Sequence, residues 1–314
     1  MGVYLVTGGA GFIGSNLVAK LLNQGHDVHV LDLHAAPKEL THPKLNWFQG
    51  DLLDSTIVGS VLRNVDAVVH LAAQTSVPVS VAHPEMTHEI NVRGTEVLIR
   101  HCQHHNVRRL LMASSAAVYG DCEELPLTEE KAWALLSPYA ESKWINEKQL
   151  LEAEKAGMDT IAMRFFNVYG NHINKEKPVG GVIGAFIRAM MSKSQLQIYG
   201  DGKNTRDFIH VSDVADAIAS LLTVEQKYTE KVVNICSGTQ TSLIGLIKMI
   251  ELELIRQNQL SESIIPFFSE RLPGDIQHSL GSYSRLQTLV DWHPKYTLHK
   301  GIENIIIASL EDGQ

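Results

Sequence analysis

The residues of this chain best suited to chemistry are a tyrosine and a lysine four positions apart, in the segment 137–143 that reads SPYAESK. Four residues make about one helical turn, so Tyr139 and Lys143 are expected on one face of the same helix. A phenol is a weak base at neutral pH, with an ordinary pKa near ~10, and a neighbouring ammonium favours its ionised form. The pair can therefore remove a proton from a substrate hydroxyl while hydride leaves the same carbon for a nicotinamide.

A glycine-rich turn near the N-terminus supplies the second part of such a site. A short apolar strand over residues 3–6 leads into TGGAGFIG at 7–14, and a helix is predicted over 16–22. Strand, tight turn and helix start are the setting of a dinucleotide-binding fingerprint, although the spacing here is GxxGxxG rather than GxGxxG. The turn allows the backbone to approach a pyrophosphate, and free N–H groups at the helix start face it. The predicted phosphate-binding residues are Gly8, Gly11, Phe12, Ile13 and Gly14.

The acidic end of the second predicted strand indicates which dinucleotide is bound. This strand covers residues 28–32 and ends in Asp32, 18 positions after Gly14, with no arginine directly following. A carboxylate there accepts hydrogen bonds from the adenosine ribose and repels a 2′-phosphate, which favours NAD over NADP. Ligands of a doubly wound sheet lie at the carboxyl ends of its strands, so the ends of the strands at 45–49 and 67–71 extend the predicted site. These residues are Asp51 and Leu52 beside adenine, and Leu71, Ala72, Ala73 and Gln74 beside the pyrophosphate and ribose.

Composition excludes several other classes of protein. The net charge is −8 and the only adjacent basic pair is at 108–109, which argues against nucleic acid as a partner. No stretch approaches the ~18 uninterrupted apolar residues of a membrane span. Three widely spaced cysteines suggest reduced thiols in a cytoplasmic protein. The histidines at 101, 104 and 105 lie in a stretch without a carboxylate that reads as the solvated end of a helix, and no metal site is predicted.

The order of predicted elements indicates the fold class. Strand and helix patterns alternate up to residue 167, which predicts an α/β protein with a doubly wound parallel sheet and helices on both faces. After residue 171 this regularity breaks. We predict an NAD-binding domain over residues 1–167 plus about 206–230, and a smaller mixed lobe over about 168–205 and 231–314. This division assigns the strand at 232–235 to the smaller lobe.

Seven motifs, in order and spread over essentially the whole chain, resemble those of the extended short-chain dehydrogenase/reductase family, specifically its nucleotide-sugar 4-epimerases. They are TGGAGFIG at 7–14, HLAAQTSV at 70–77, ASSAAVYGD at 113–121, SPYAESK at 137–143, RFFNVYG at 164–170, GDGKNTRDFIHVSDVADAI at 200–218 and RLPGDIQHS at 271–279. The resemblance implies a Rossmann fold, tightly bound NAD and a UDP-sugar substrate. It also implies a homodimer, formed through the helix of Tyr139 and the helix at 84–104.

Further site residues are implied by the same resemblance. Ser115 would be the third catalytic residue, which hydrogen-bonds the sugar O4 and orients Tyr139, and Lys143 would bond the nicotinamide ribose. Asn91 would order the region around the cofactor. Toward the substrate, Arg206 and Arg271 would clamp the pyrophosphate, a task suited to a planar, permanently charged fork. The remaining substrate contacts would come from Asn167 at a phosphate, Asp275 at the uridine ribose, Ser279 at the sugar, and Val182 and Phe186 at the nucleotide, although these last two also fit an ordinary helix core.

The reaction is narrowed by two alanines. Related 4,6-dehydratases carry Asp-Glu directly after the catalytic threonine, because eliminating water needs an additional acid and base. Ala116 and Ala117 stand there in this chain, and Ala117 also replaces the glutamate typical of UDP-glucuronate decarboxylases. The resemblance therefore implies a 4-epimerase that works through a transient 4-keto sugar, on UDP-glucose/galactose or, since Ser279 is small, UDP-GlcNAc/GalNAc. A UDP-glucuronate 4-epimerase, a nucleotide 4-keto-sugar reductase and a non-catalytic dinucleotide sensor are the alternatives.

Overall fold

Strands and helices alternate along the first half of the chain. The computed structural model describes residues 1–131, 134–174, 179–271 and 276–311. Its strands are β1 (Val3–Thr7), β2 (Asp27–Asp32), β3 (Leu45–Gln49), β4 (Ala67–His70), β5 (Arg109–Ser115), β6 (Asp159–Phe165), β7 (Asn167–Tyr169), β8 (Gln197–Tyr199), β9 (Thr205–His210), β10 (Val232–Ile235), β11 (Gln240–Ser242) and β12 (Phe267–Ser269).

The helices pack around these strands. They are α1 (Phe12–Asn23), α2 (Ser55–Val61), α3 (Val77–Ala82), α4 (Pro84–His88), α5 (Gly94–His104), α6 (Pro138–Lys155), α7 (Gly181–Met191), α8 (Val211–Leu222), α9 (Leu243–Arg256), α10 (Ser284–Gln287) and α11 (Leu298–Glu311). A π-helical turn over Glu89–Arg93 joins α4 to α5, and a 3₁₀ turn over Ala116–Tyr119 follows β5.

The central sheet has seven parallel strands in the order β10-β6-β5-β4-β1-β2-β3. Its inner strands β4 and β6 are buried along their whole length, as expected where helices cover both faces of a parallel sheet. On one face, α1 and α8 contribute Leu17, Ile218 and Leu221 to a common apolar core. On the other face, α5 and α6 contribute Leu98 and Leu150 to a second core. The predicted fold class is confirmed.

A smaller lobe completes the chain beside this sheet. It contains the three-stranded sheet β11-β9-β7 and the pair β12-β8. Its own apolar core is formed by α7, α9 and α11, with Ile187, Ile250 and Ile305 at the centre. Among the described residues, no helix is both long enough and apolar enough to cross a lipid bilayer.

Two strands pair in a sheet other than the one that the predicted division into lobes implies. The strand at 232–235 was assigned to the smaller lobe, but β10 pairs in parallel with β6 at the edge of the central sheet. Val233 and Ile235 are fully buried there against the sheet core. The pairing partner of a short apolar strand is fixed by these long-range contacts, which its own sequence does not reveal. The assignment of this strand was therefore wrong. Strand β9, in the segment predicted to belong to the NAD-binding domain, likewise pairs with β11 and β7 and not with the central sheet. The rest of the division into lobes stays a prediction.

Candidate active site

Ser115, Tyr139 and Lys143 meet where β5 ends against the start of α6. The helix begins at Pro138, and the Ser137 hydroxyl accepts a hydrogen bond from the Ala140 N–H, which fixes the first turn on which Tyr139 lies. The Ser115 side chain lies beside the phenol of Tyr139, where its hydrogen bonding lowers the pKa of the tyrosine. Lys143 is buried one turn further along the helix, with its Nζ 5.9 Å from the centroid of the Tyr139 ring.

The electrostatics of this cluster leave the tyrosine neutral in the protein alone. Burial raises the pKa of Tyr139, and the hydrogen bond from Ser115 opposes that rise. Burial also lowers the pKa of Lys143 to about 8. Both shifts disfavour a phenolate beside an ammonium. A positive charge from outside the chain is therefore needed before Tyr139 can act as a base near neutral pH.

The glycine turn is shaped so that a ligand can approach its backbone. Gly8 adopts a φ of +75°, and a Cβ atom there would lie 2.7 Å from the Ala72 nitrogen. A Cβ atom on Gly14 would lie 2.1 Å from the Gly8 carbonyl oxygen, so the start of α1 packs directly on the turn. Gly11 is the N-cap of α1 and offers no side chain to the first N–H groups of the helix. These groups and the open turn fit the pyrophosphate of a dinucleotide.

Asp32 lies at the carboxyl end of β2, beside this turn. Its Oδ2 accepts a hydrogen bond from the Ala10 N–H at 2.9 Å, and its Oδ1 accepts one from the His34 N–H at 2.9 Å. The carboxylate is thus held at the mouth of the turn, where an adenosine ribose would reach it. After the next strand, the Asp51 side chain accepts from the Leu53 N–H, while Leu52 is buried next to the α5 backbone at Gly94.

Asn91 connects the segment after β4 to the helix of Tyr139. Its side-chain oxygen accepts a hydrogen bond from the Gln74 N–H at 2.8 Å, and its Nδ2 donates to the Gln74 carbonyl at 3.0 Å and to Ser142 Oγ at 2.9 Å. Ser142 Oγ in turn donates to the Tyr139 carbonyl at 2.8 Å. The segment of Leu71, Ala72, Ala73 and Gln74, predicted to contact the cofactor, is therefore fixed relative to Tyr139.

A buried polar chain that sequence reasoning missed lies behind these residues. His70 Nδ1 is 2.7 Å from Thr7 Oγ1, and His70 Nε2 is 2.9 Å from Thr95 Oγ1, which donates to the Asn91 carbonyl. Burial lowers the pKa of His70 to about 3, and the charge of Lys143 adds to this effect. The imidazole is consequently neutral. Polar residues inside otherwise apolar strands are the signal that could have found this chain.

The residues predicted to bind the nucleotide sugar are brought together only in part. Ser279 is buried, and its N–H donates to the carbonyl of Thr205 at 3.1 Å, which places it next to Arg206 on β9. Arg271 lies with its Nη2 3.4 Å from Asp121 Oδ2, close to the end of β5. Asn167 begins β7 and is exposed. Asp275 lies outside the described residues.

Two further predicted residues have the contacts of a helix core. Phe186 is buried among the apolar side chains of α7, α9 and α11, and Val182 packs partly against the same core. Asp121, by contrast, lay inside a recognised motif but was assigned no role. Its Oδ1 accepts a hydrogen bond from the Gln277 N–H at 2.7 Å, so it ties the segment that carries Ser279 to the residues following β5.

The histidine-rich end of α5 forms a separate feature. His101 Nε2 lies 2.7 Å from Ser55 Oγ, and the rings of His104 and His105 meet edge to face. Within the ranges that the structure describes, no three His, Cys, Asp or Glu side chains are grouped so that they could hold a metal ion.

The chain is similar to a known protein family and to proteins of solved structure. The model of the NAD dependent epimerase/dehydratase family matches residues 4–236. The chain is 33% identical to the UDP-glucose 4-epimerase of Lactobacillus helveticus over 323 residues, covering 97% of this chain and 95% of that protein. It is 32% identical, with a TM-score of 0.88, to a UDP-N-acetylglucosamine 4-epimerase from Methanobrevibacter ruminantium M1 in complex with UDP-N-acetylmuramic acid, covering 99% and 98% of the two chains. A UDP-glucose 4-epimerase from Bifidobacterium longum, in complex with NAD+ and UDP, is 28% identical with a TM-score of 0.87 and 99% of both chains covered.

Proposed function

The chain belongs to the NAD-dependent epimerase/dehydratase family, and we propose that it is a UDP-sugar 4-epimerase. One observation carries the proposal. Ser115 lies beside Tyr139 and lowers the pKa of its phenol, and the buried ammonium of Lys143 lies on the same helical face as that phenol, 5.9 Å from the ring centroid. This cluster can abstract a proton from a sugar hydroxyl and return it. Ala116 and Ala117, which follow Ser115, have no group that could act as the additional acid or base of a dehydratase.

The glycine turn, Asp32 and the segment that Asn91 fixes would hold NAD with its nicotinamide toward Tyr139 and Lys143. Bound there, NAD supplies a hydride acceptor next to the sugar C4 and the positive charge that the tyrosine needs. Family membership and the open backbone of the turn both support this assignment.

Tyr139 is the acid/base of the proposed reaction. Its phenolate takes the proton of the C4 hydroxyl, while Ser115 hydrogen-bonds the same oxygen and keeps it near the phenol. Loss of this proton, together with transfer of a hydride from C4 to bound NAD, would turn C4 into a carbonyl. After the 4-keto sugar has rotated, return of the hydride to its other face would let Tyr139 give the proton back. The cycle leaves no net oxidation, so it needs no second substrate.

Lys143 supports the tyrosine through its charge. In the protein alone its Nζ donates to the Ala113 carbonyl at 2.9 Å, so the ammonium is already held within the site. From this position it would hydrogen-bond the nicotinamide ribose. A positive charge close to the phenol lowers the free energy of the phenolate relative to the phenol.

Substrate binding is proposed for residues of β7, β9 and the segment 271–279. Arg206 and Arg271 would clamp the UDP pyrophosphate, with Asn167 at a phosphate and Asp275 at the uridine ribose. Ser279 presents a small side chain next to Arg206, so a 2-acetamido group would fit as well as a hydroxyl. We propose that the enzyme accepts both UDP-glucose and UDP-GlcNAc.

The test is incubation of the purified protein with UDP-glucose, UDP-GlcNAc or UDP-glucuronate, without added NAD, followed by proton NMR of the anomeric region. The proposal predicts formation of the C4 epimer of UDP-glucose and UDP-GlcNAc, and its loss in Tyr139→Phe. Conversion of UDP-glucuronate alone would contradict the substrate assignment. No conversion of any of the three, even with NAD added, would contradict the proposed function.

We further propose that the enzyme is a homodimer. A groove runs along α5 and α6, lined by Ile99, Arg100, Gln103, Ile145, Lys148 and Gln149. Its apolar side chains are flanked by charges of both signs, since Glu96 and Glu152 also line the groove, and this suits pairing with the same two helices of a second copy in an isologous four-helix contact. For its location we propose the cytoplasm, since Cys102, Cys122 and Cys236 are free thiols.

A further inference from the structure

We infer that Glu147 and Arg164 are positioning residues for the proposed epimerase, a buried ion pair that fixes the helix of Tyr139 and Lys143 against the strand that ends in Ser115. This inference rests on the proposed function for its effect on turnover, and on geometry alone for its effect on the Ser115–Tyr139 contact.

Glu147 extends the face of α6 that carries the catalytic side chains. Tyr139, Lys143 and Glu147 follow one another at intervals of four residues, so they lie on one side of the helix. The Glu147 side chain is only 1% exposed. It therefore points from the catalytic helix into the central sheet, one turn beyond Lys143.

The carboxylate of Glu147 binds two side chains that lie opposite each other on neighbouring strands. Ser114 on β5 and Arg164 on β6 are register partners. Ser114 Oγ donates to Glu147 Oε1 at 2.5 Å, while Arg164 Nε and Nη2 donate to the two carboxylate oxygens at 2.9 and 2.8 Å. A bidentate guanidinium–carboxylate pair has a defined geometry, so it fixes direction as well as distance. Ser114 directly precedes Ser115, and the contact thus sets how close Ser115 lies to Tyr139.

Arg164 also contacts residues that follow β5 in the chain. Its guanidinium lies over the Tyr119 ring, 4.8 Å from the centroid, and its Nη1 donates to the Glu129 carbonyl at 3.4 Å. Tyr119 OH donates to Asn234 Oδ1 at 2.7 Å, and Asn234 Nδ2 donates to the carbonyl of Leu127 at 3.0 Å. One buried cation therefore joins the catalytic helix, the 3₁₀ turn after β5 and the segment beyond it.

Stability does not explain such a pair. A buried ion pair loses much of its Coulombic gain to desolvation, and replacing both partners by apolar residues of similar volume is often neutral or stabilising. What the pair does supply is a single fixed arrangement of helix and strand. A misplacement of about 1 Å in a catalytic group is sufficient to lower turnover by about 100-fold.

The central test replaces both partners at once, as Glu147→Leu with Arg164→Met, in the full chain loaded with NAD. Removing both charges avoids the uncompensated charge that a single substitution would leave. We expect kcat for the UDP-sugar to fall by roughly 10- to 100-fold, with KM, NAD content and melting temperature close to those of the wild type.

A second pair on the same two strands provides the control. Arg109 and Asp159 are register partners at the opposite ends of β5 and β6, and they form an equally buried ion pair, 3% and 2% exposed. Arg109→Met with Asp159→Leu removes as much charge from the same sheet, far along the strands from Ser115. Its kcat should remain within about threefold of the wild type.

The pKa of Tyr139 can be measured without any catalysis, so it tests the positioning role independently of the proposed epimerase activity. Hydrogen bonding from Ser115 lowers the pKa of Tyr139, so displacement of the helix should raise the pKa of this phenol. The pKa is measured by ultraviolet absorbance as a function of pH, as the difference between each protein and the same protein carrying Tyr139→Phe. If the wild type does not epimerise any UDP-sugar, the proposed function fails, and this titration still decides the positioning role. An unchanged titration and an unchanged kcat in the Glu147/Arg164 double variant would overturn the inference.

Ser114→Ala covers the case in which the double variant does not fold. It removes only the strand hydrogen bond to Glu147 and leaves the ion pair in place. We expect a fall in kcat of roughly 3- to 10-fold, which is about the effect of one hydrogen bond, with NAD content unchanged. Wild-type kcat in this variant would overturn the inference.

Discussion

The ammonium of Lys143 lies 2.9 Å from the carbonyl oxygen of Ala113, inside a site where the lysine side chain is only 4% exposed. Burial lowers the pKa of Lys143 to about 8, so the protein keeps a cation in a place that disfavours its charge. Function explains this arrangement better than stability does, because Tyr139 needs positive charge beside it before it can act as a base.

Lys143→Met should therefore stabilise the NAD-free protein at pH 7 and inactivate it. The folded-state pKa is depressed below that of a lysine in the unfolded chain, so below pH 8 folding includes the cost of burying the charge. Relief of that cost, less the lost hydrogen bond to Ala113, amounts to about 1–3 kcal/mol. Activity should fall by at least about 100-fold.

The pH dependence provides the check on this prediction. Between pH 8 and about 10.4 the unfolded wild-type chain binds more protons at this lysine than the folded chain does, so the lysine's unfavourable contribution to wild-type stability shrinks as pH rises through this window. Denaturant unfolding of both proteins should show the advantage of Lys143→Met shrinking over the same interval. A variant less stable than the wild type at pH 7 would contradict this account of Lys143.

Asp32→Ala should weaken NAD binding by roughly 10- to 100-fold, the effect of losing hydrogen bonds to a charged acceptor. It should also narrow the preference for NAD over NADP, because the carboxylate no longer repels a 2′-phosphate. Titration calorimetry on cofactor-free protein measures both effects. His34→Ala is the control: its ring contacts Asp32 Oδ1 at 3.1 Å but is 74% exposed, and it should change NAD affinity by less than about threefold. Equal losses in the two variants would count against a specific role for Asp32.

Gly14→Ala should destabilise the phosphate turn more than Gly11→Ala does. The added methyl on residue 14 would lie 2.1 Å from the Gly8 carbonyl oxygen, whereas on residue 11 the nearest approach to the same atom is 3.0 Å. Overpacking of this kind costs about 1–3 kcal/mol. Thermal unfolding and the NAD content of the purified variants should both rank the wild type above Gly11→Ala, and Gly11→Ala above Gly14→Ala. The reverse order of the two variants would show that the helix does not pack on the turn as described.

Ile145→Glu should convert the proposed dimer to a monomer. Ile145 lines the groove along α5 and α6, and a carboxylate at the centre of an isologous contact would face its own copy in the partner. Sedimentation equilibrium measures the mass directly. Lys148→Ala, a change at the same groove without a buried charge, should remain dimeric. A monomeric wild type would refute the proposed dimer regardless of the variants.

Much of this molecule follows from local sequence patterns. The alternation of strands and helices, the glycine turn and the spacing of Tyr139 and Lys143 all depend on residues close together in the chain, and the fold class they predict is confirmed. Helix α1 begins at Phe12, whereas the sequence predicted a start at residue 16. The prediction was late because glycine has a low helix propensity, while the structure needs Gly14 for close contact between the helix and the turn.

Features that depend on distant residues were not predicted. The apolar sequence at 232–235 is compatible with a strand in either sheet. Its place in the seven-stranded sheet is set by pairing with β6, which the local sequence does not encode. Arg164 stands in an apolar strand sequence and Glu147 on a helix rich in polar residues, and nothing in either segment shows that the two side chains pair. His70 is a further example, since its partners Thr7 and Thr95 are 63 and 25 residues away.

The most direct measurement of the central claim uses UDP-glucose with deuterium at C4, incubated with the purified enzyme in ordinary water without added NAD. If hydride leaves C4 and returns to the same carbon, the UDP-galactose formed should carry the deuterium at C4 in full, as seen by NMR and mass spectrometry. The Tyr139→Phe variant should form no product. Loss of the label to solvent during conversion would contradict a hydride that returns within the same cycle, and with it the proposed epimerase mechanism.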